Sequence, residues 1–150
     1  MLALQFSMVN AFARAGLMHR DAAKLLLRGC PQNGFSTLAT EVIYLSGYVA
    51  ECGLKALLVT HTPPRHHEAM LNRFKNPREI GHNLERLIDE LERRNVRIPE
   101  KILAMTRRIR RQWSPQLRYS ADRRATKIAR STFADADGFN RWVNGEKANA

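Results

Sequence analysis

Apolar residues recur every three or four positions along most of the chain, and no useful stretch alternates apolar with polar. That period belongs to helix and not to strand. Residues 41–58 carry it most densely. Leu38, Val42, Leu45, Val49, Cys52 and Ala56 form one apolar face; Ile43, Gly47, Ala50, Leu54 and Leu58 form a second. Between the two runs a narrow polar line of Glu41, Tyr44, Tyr48, Glu51 and Lys55. A helix apolar on most of its circumference belongs in the middle of a domain. Its charged line is then either paired inside the bundle or aimed into a cleft, because unpaired buried charge is costly.

The same period places the other elements. The first 30 residues read as helix with Met8, Phe12, Leu17, Ala22, Leu25 and Leu26 as apolar positions. A bend around Gly16 sets residues 1–18 apart as an N-terminal extension helix, and Asp21 suits the first turn of the second piece. Gly29-Cys30-Pro31 stops it. Asn33-Gly34 is a turn, and Ser36 or Thr37 caps the central helix, which runs to about Thr60. Residues 61–81 are basic and proline-bearing, a loop with a short helix at 67–74. Leu84, Leu87, Ile88 and Leu91 mark the next helix. Pro99 opens another, with Ile102, Met105, Ile109 and Trp113 facing inward and Arg107, Arg108 and Arg111 outward. Trp113-Ser114-Pro115 interrupts the chain. A last helix over residues 121–144 carries Ala125, Ile128, Phe133, Ala136, Phe139 and Val143, with a kink at Gly138. The expected architecture is all-α, a single domain over residues 1–150 built as an up-and-down helical bundle of about five helices.

Composition sharpens this in one respect. The 150 residues are 44% apolar and 26% charged, ordinary for a globular domain, but the net charge is +11. Such a surplus favours polyanionic partners: RNA, DNA, nucleotides or an acidic protein. Cys30 and Cys52 form no C-x-x-C pair and read as reduced thiols of a cytoplasmic protein. No apolar run is expected to reach membrane-spanning length, and Met1 to Val9 lack the basic leader of an export signal. His61, His66 and His67 surround Pro63-Pro64 without carboxylates or thiolates at ligand spacing, so no metal site is expected. With no glycine-rich phosphate loop or nucleophile elbow, no cofactor is expected either.

The densest basic segment is Arg107, Arg108, Arg110, Arg111, Arg118, Arg123, Arg124, Lys127 and Arg130, with Asp122 as its one acid between residues 107 and 130. Trp113 and Tyr119 are interleaved. Arginine binds phosphate in a bidentate manner and stacks on bases, and aromatic rings are stacking platforms, so this segment is the candidate nucleic-acid surface. Trp113 also completes an apolar face. A solvated helix face, or a patch for an acidic protein, explains the arginines equally.

An ordered set of landmarks resembles the HEPN domains, small helical bundles of prokaryotes and higher eukaryotes. The set begins with Asp21-Ala22-Ala23-Lys24-Leu25-Leu26 and continues with the Tyr44 to Leu58 stretch, whose core is Ala50-Glu51-x-x-Leu54-Lys55-x-Leu57-Leu58. Gly81-His82-Asn83-Leu84 follows, then Trp113-Ser114-Pro115 with Arg118-Tyr119-Ser120, and finally Phe139 to Val143. The resemblance spans residues 19–143. It implies a dimeric bundle tied to RNA or nucleotide handling. Many such domains are metal-independent ribonucleases of toxin–antitoxin or defence systems; some pair with a small nucleotidyltransferase, and others are binding or assembly modules.

The nuclease members carry an arginine and a later histidine separated by four to six intervening residues, on a late helix. Here the chain departs from them. No histidine follows Arg118, and none follows Arg107 to Arg111. Arg14 and His19 alone match the spacing, in the first helical segment, while Arg78 and His82 are one residue too close. Metal-free cleavage needs an acid or base and a cation for the phosphorane charge, roles suited to histidine and arginine. His82, before a helix N-terminus where backbone amides could receive a phosphate, is the substitute partner for Arg118, or else it caps that helix or bonds within the bundle. Glu51 and Lys55, an i, i+4 pair, either order Arg118 in a cleft together with Tyr44 and Tyr48 or form a structural network that fixes helix register.

Overall fold

The computed structural model describes residues 2–148. Met1 and residues 149–150 lie outside it, as do the side chains of residues 2–7, which belong to the stretch read for a leader. Six α-helices are formed among the described residues: α1 (Leu2–Gly29), α2 (Thr37–Thr60), α3 (His67–Lys75), α4 (Leu84–Arg93), α5 (Glu100–Gln112) and α6 (Thr126–Ala148). Short 3₁₀ turns span Pro64–His66 and Pro115–Tyr119. The fold is an all-α helical bundle.

α2 is the axis. It packs against α1, α4, α5, α6 and the second 3₁₀ turn, and every residue from Val49 to Val59 is buried. Its start is fixed by Ser36, whose Oγ accepts the Ala39 N–H at 3.0 Å. This helix corrects one expectation, since an 18-residue window within it reaches a mean hydropathy of 1.5 and the helix is long enough to cross a membrane. Being apolar on two faces, it passes that test as a core helix does: 83% of the window is buried inside the bundle. Gly47 is the point of closest approach. A Cβ there would lie 2.1 Å from the Trp113 ring, so Trp113 seals the core through the gap that a side chain would fill.

α1 differs from expectation in two ways. It is continuous through Gly16, so residues 2–18 are not a separate extension. Its packing seam also runs along Phe12, Gly16, His19, Ala23, Leu26 and Cys30, with Gly16 and Ala23 buried and Gly16 set against Cys52. Leu17 and Leu25, expected inside, are exposed, and Ala22 with them. Small residues let the α1 and α2 backbones approach, and the larger apolar side chains then fall outside the seam.

α4 begins where Asn83 Oδ1 accepts the Arg86 N–H at 3.1 Å. Pro99 precedes α5 as its cap, one position earlier than expected. α6 starts at Thr126 and not at 121, because residues 120–125 are not helical and are tied to the α1–α2 turn. β2 (Arg124–Ala125) pairs antiparallel with β1 (Phe35–Ser36), matching Phe35 to Ala125. Thr40 Oγ1 donates to the Asp122 carbonyl at 2.6 Å, and Arg123 donates to the Phe35 carbonyl at 2.8 Å. The helix then continues through Gly138 without a break.

Candidate functional site

The polar line of α2 turns out to be paired and buried at one end and half-open at the other. Glu51 and Lys55 are 3% and 6% exposed, and the Lys55 ammonium donates to Glu51 Oε1 at 2.6 Å. A third group completes the cluster. Asn83 caps α4, and the residue before it, His82, brings Nδ1 to 2.9 Å and 3.0 Å from the two Glu51 oxygens. A carboxylate accepts only, so Nδ1–H is the donor and Nε2 is left as the free nitrogen. The His82 side chain is 49% exposed. A buried carboxylate thus holds an accessible imidazole in a fixed tautomer.

One turn towards the α2 N-terminus, Tyr48 gathers four rings. Tyr44 lies 5.0 Å away, Trp113 5.4 Å, His19 5.5 Å and His82 6.0 Å between centroids. Burial, and after it the neighbouring Tyr44 hydroxyl, pushes the Tyr48 phenol well above its ordinary value, with the positive charge of Arg118 opposing. Tyr48 is therefore an O–H donor at neutral pH. His19 is shifted down, chiefly by burial and against the pull of Glu51, so its imidazole is neutral at pH 7. Burial, with Glu51 beside it, raises the Cys52 thiol to about 12, which leaves it unreactive.

Arg118 sits on the second 3₁₀ turn, its guanidinium 4.6 Å from the Tyr119 ring centroid, and Tyr119 is 75% exposed. Among the described residues Arg118 makes no ion pair with Glu51, which is engaged by Lys55 and His82 instead. Its charge reaches Tyr44 and Tyr48. Of the four residues considered for catalysis, His82, His19 and Arg118 therefore border one aromatic cluster. Arg14 does not. It is exposed on α1, about 140° around the helix from His19 at ~100° per residue.

The arginine segment is divided between neighbours. Arg107 pairs with Glu100 at 2.8 Å, Arg110 with Glu85, and Arg108 grips Asp135 of α6 with two bonds at 2.7 Å and 2.8 Å. Arg123 is tied to the Phe35 carbonyl, and the Nε of half-buried Arg124 has no partner among the described residues. Arg111 and Lys127 are exposed and make no ion pair among the described residues. Exposed pairs are worth about 0–1 kcal/mol each, so a phosphate can displace them, but they cancel much of the local charge. The clefts between α4 and α5 are correspondingly mixed, with Glu85, Asp89 and Glu92 facing Arg107 and Arg110.

His67 is buried, its Nε2–H donating to the Thr62 carbonyl at 2.7 Å, and His66 meets Arg65. Among the described residues no three His, Cys, Asp or Glu side chains converge as a metal site would need.

Sequence reasoning did not find what lies on the other side of His82. A cleft of about 330 Å³ is lined by Phe12, Lys55, Leu71, Phe74, Lys75, Pro77, Gly81 and His82. Gly81 forms its edge at φ +52, and a Cβ there would meet Pro77 Cα at 2.9 Å, so this turn requires glycine. Its residues come from four separate segments, and only the Gly81-His82-Asn83 turn signalled that chain folds back there.

No protein-family model matches the chain, and neither does any curated protein or solved structure.

Proposed function

We propose that the chain is a HEPN-like, RNA- or nucleotide-binding helical module that takes RNA on the face where Tyr48 gathers two imidazoles beside Arg118. The supporting observation is that convergence. Tyr44, Tyr48 and the exposed Arg118–Tyr119 stack supply ring faces and a guanidinium, the pieces that hold single-stranded nucleic acid by stacking and phosphate contact. The net charge of +11 supplies the long-range attraction. A cytoplasmic homodimer in a prokaryotic toxin–antitoxin, defence or nucleotidyltransferase-associated system accompanies this reading. Leu17, Met18 and Leu25, exposed along α1, are apolar area suited to a second copy.

A second reading, a divergent metal-independent endoribonuclease, is favoured by the two imidazoles. His19, kept neutral by burial, would take the proton from a ribose 2′-OH. The 2′-oxygen would then attack phosphorus, and His82 in its cationic form, oriented by Glu51, would give a proton to the departing 5′-oxygen. A 2′,3′-cyclic phosphate and a 5′-hydroxyl balance that step. Arg118, whose charge reaches Tyr48, would supply the cation for the phosphorane charge.

Fluorescence anisotropy with a labelled single-stranded RNA in EDTA, between 50 and 200 mM salt, tests the binding reading. Arg118→Glu with Tyr119→Ala should weaken binding about tenfold or more and lower the log–log salt slope by about 0.7 per phosphate contact removed. Arg110→Glu with Arg111→Glu should cost less, since Arg110 is already engaged by Glu85. Unchanged affinity in the first variant would refute this face and favour an assembly role with an acidic protein. Cleavage that persists in EDTA and disappears in His19→Ala with His82→Ala would establish the nuclease reading.

A further inference from the structure

We propose that the cleft beside His82 binds a single nucleotide, with an acceptor-rich base such as guanine or uracil inside and its phosphate at the rim. The inference rests on the nucleotide-binding reading and assigns it a second subsite, separate from the Arg118 face.

Three features of the cleft point this way. Its walls are apolar: Phe12 and Phe74 meet edge to face at 5.6 Å and 88°, and Leu71 flanks them. The clefts lined by Glu85 and by Glu90 are walled instead by arginine–carboxylate pairs. Next, every ionisable side chain lining it is a nitrogen base, Lys55, Lys75 and His82, so the site is built for an anion. Finally, the Lys55 ammonium is only partly satisfied among the described residues. It carries three donors, is 6% exposed, and among the described residues makes one hydrogen bond, to Glu51. A buried ammonium at a cleft with donors to spare calls for an acceptor there.

Position decides which end of a nucleotide goes where. Lys55 lies deep, 5.3 Å from the Phe74 ring centroid, whereas Lys75 and His82 are exposed at the mouth. A phosphate at the mouth meets the Lys75 ammonium while staying partly hydrated. The base inside then meets Lys55, which donates to carbonyl or ring-nitrogen acceptors such as guanine O6 and N7. Adenine keeps N7 but presents an amino donor in place of O6, and cytosine presents one in place of the uracil O4, so each loses an acceptor for Lys55. About 330 Å³ is at the small end for ligand pockets, room for one ring system and its acidic substituent.

Calorimetric titration of the full chain with GMP, AMP, ribose 5-phosphate and benzoate tests this, alongside two variants. Leu71→Trp fills the cleft, and Lys75→Glu, at an exposed position, reverses the rim charge without touching the core. GMP should bind at least fivefold tighter than AMP, and both variants should weaken it tenfold or more. Arg118→Glu with Tyr119→Ala should leave GMP binding intact even where it abolishes RNA binding, so the two subsites fail separately. An oligoribonucleotide ending in guanosine 3′-phosphate, compared with one ending in an abasic residue, distinguishes an RNA end from a free nucleotide. A preference for the guanosine end that Leu71→Trp removes assigns the RNA end; equal affinity for both oligomers with GMP still bound assigns the free nucleotide. No GMP binding, equal binding of AMP, tighter binding of benzoate, or GMP binding indifferent to Lys75→Glu in a folded protein would overturn the proposal.

Discussion

Two buried glutamates, Glu51 and Glu90, each anchor a cluster of bases, and they do so with opposite consequences. Glu90 on α4 is closed on all sides by arginines: Arg73 at 2.6 Å, Arg94 at 2.7 Å and Arg93 at 2.8 Å. Hydrogen bonding from Arg73, and then from Arg94, overcomes burial and holds its carboxyl at about 2. Guanidinium groups never lose their charge at working pH, so this cluster has one state and serves as a clamp between α3 and α4. Glu51 instead faces one lysine and one histidine. Among the described residues it leaves ammonium donors unused and an imidazole nitrogen accessible, beside half-open aromatic rings. A fully satisfied cluster holds the bundle together; the incompletely satisfied one lies where chemistry can enter.

Breaking the clamp should have the larger effect on stability. Glu90→Ala strands three arginines and should cost about 3 kcal/mol, lowering the melting temperature by about 6–12 °C, with RNA affinity unchanged. The same carboxyl gives an acid limb. Its folded pKa lies below its ordinary value of 4.5, so the unfolded chain binds the proton more readily. The stability it contributes is intact above about pH 4.5 and is lost as pH falls towards about 2. Denaturant melts of Glu90→Gln should show that limb flattened.

Glu51→Gln should cost less, on the order of 1–2 kcal/mol, because the amide keeps the shape and one acceptor for Lys55. Its signature is functional: with His82 released from its fixed tautomer, RNA or GMP binding should fall severalfold. An unchanged ligand affinity would make the two glutamates equivalent clamps.

The smallest effect belongs to His19. Its folded pKa is lowered, so the unfolded imidazole takes the proton first, and the stability tied to its neutral form is complete above about pH 6.5. It declines as pH falls below that value, a window separate from that of Glu90. His19→Gln should remove a slope of a few tenths of a kcal/mol per pH unit, measured by urea melts between pH 5 and 7.

Much of this was legible beforehand where local chemistry decides. Ser36 caps α2 because its short acceptor suits that position, and the Leu84, Leu87, Leu91 stripe is buried as its spacing requires; the cap of α4 is Asn83, whose side-chain oxygen reaches the Arg86 N–H, and not the neighbouring His82. The line Tyr44, Tyr48, Glu51, Lys55 could be read off a 3.6 period. What distance along the chain hides was lost. Arg110–Glu85 and Arg108–Asp135 join residues 25 and 27 positions apart, so a run of arginines with one acid in its own sequence proved to be paired with acids from elsewhere. On α1, Gly16 and Ala23 carry the seam because they are small, a property that a search for large apolar residues passes over. His19 gained its place at Tyr48 from that seam and not from its spacing to Arg14.

The most direct test of an open Glu51 cluster against a closed Glu90 one is histidine-selective NMR during titration with single-stranded RNA. Imidazole signals of His19 and His82 should move together and saturate, while those of His67, bound to the Thr62 carbonyl inside the protein, stay still. RNA binding that leaves His19 and His82 unmoved would contradict the account.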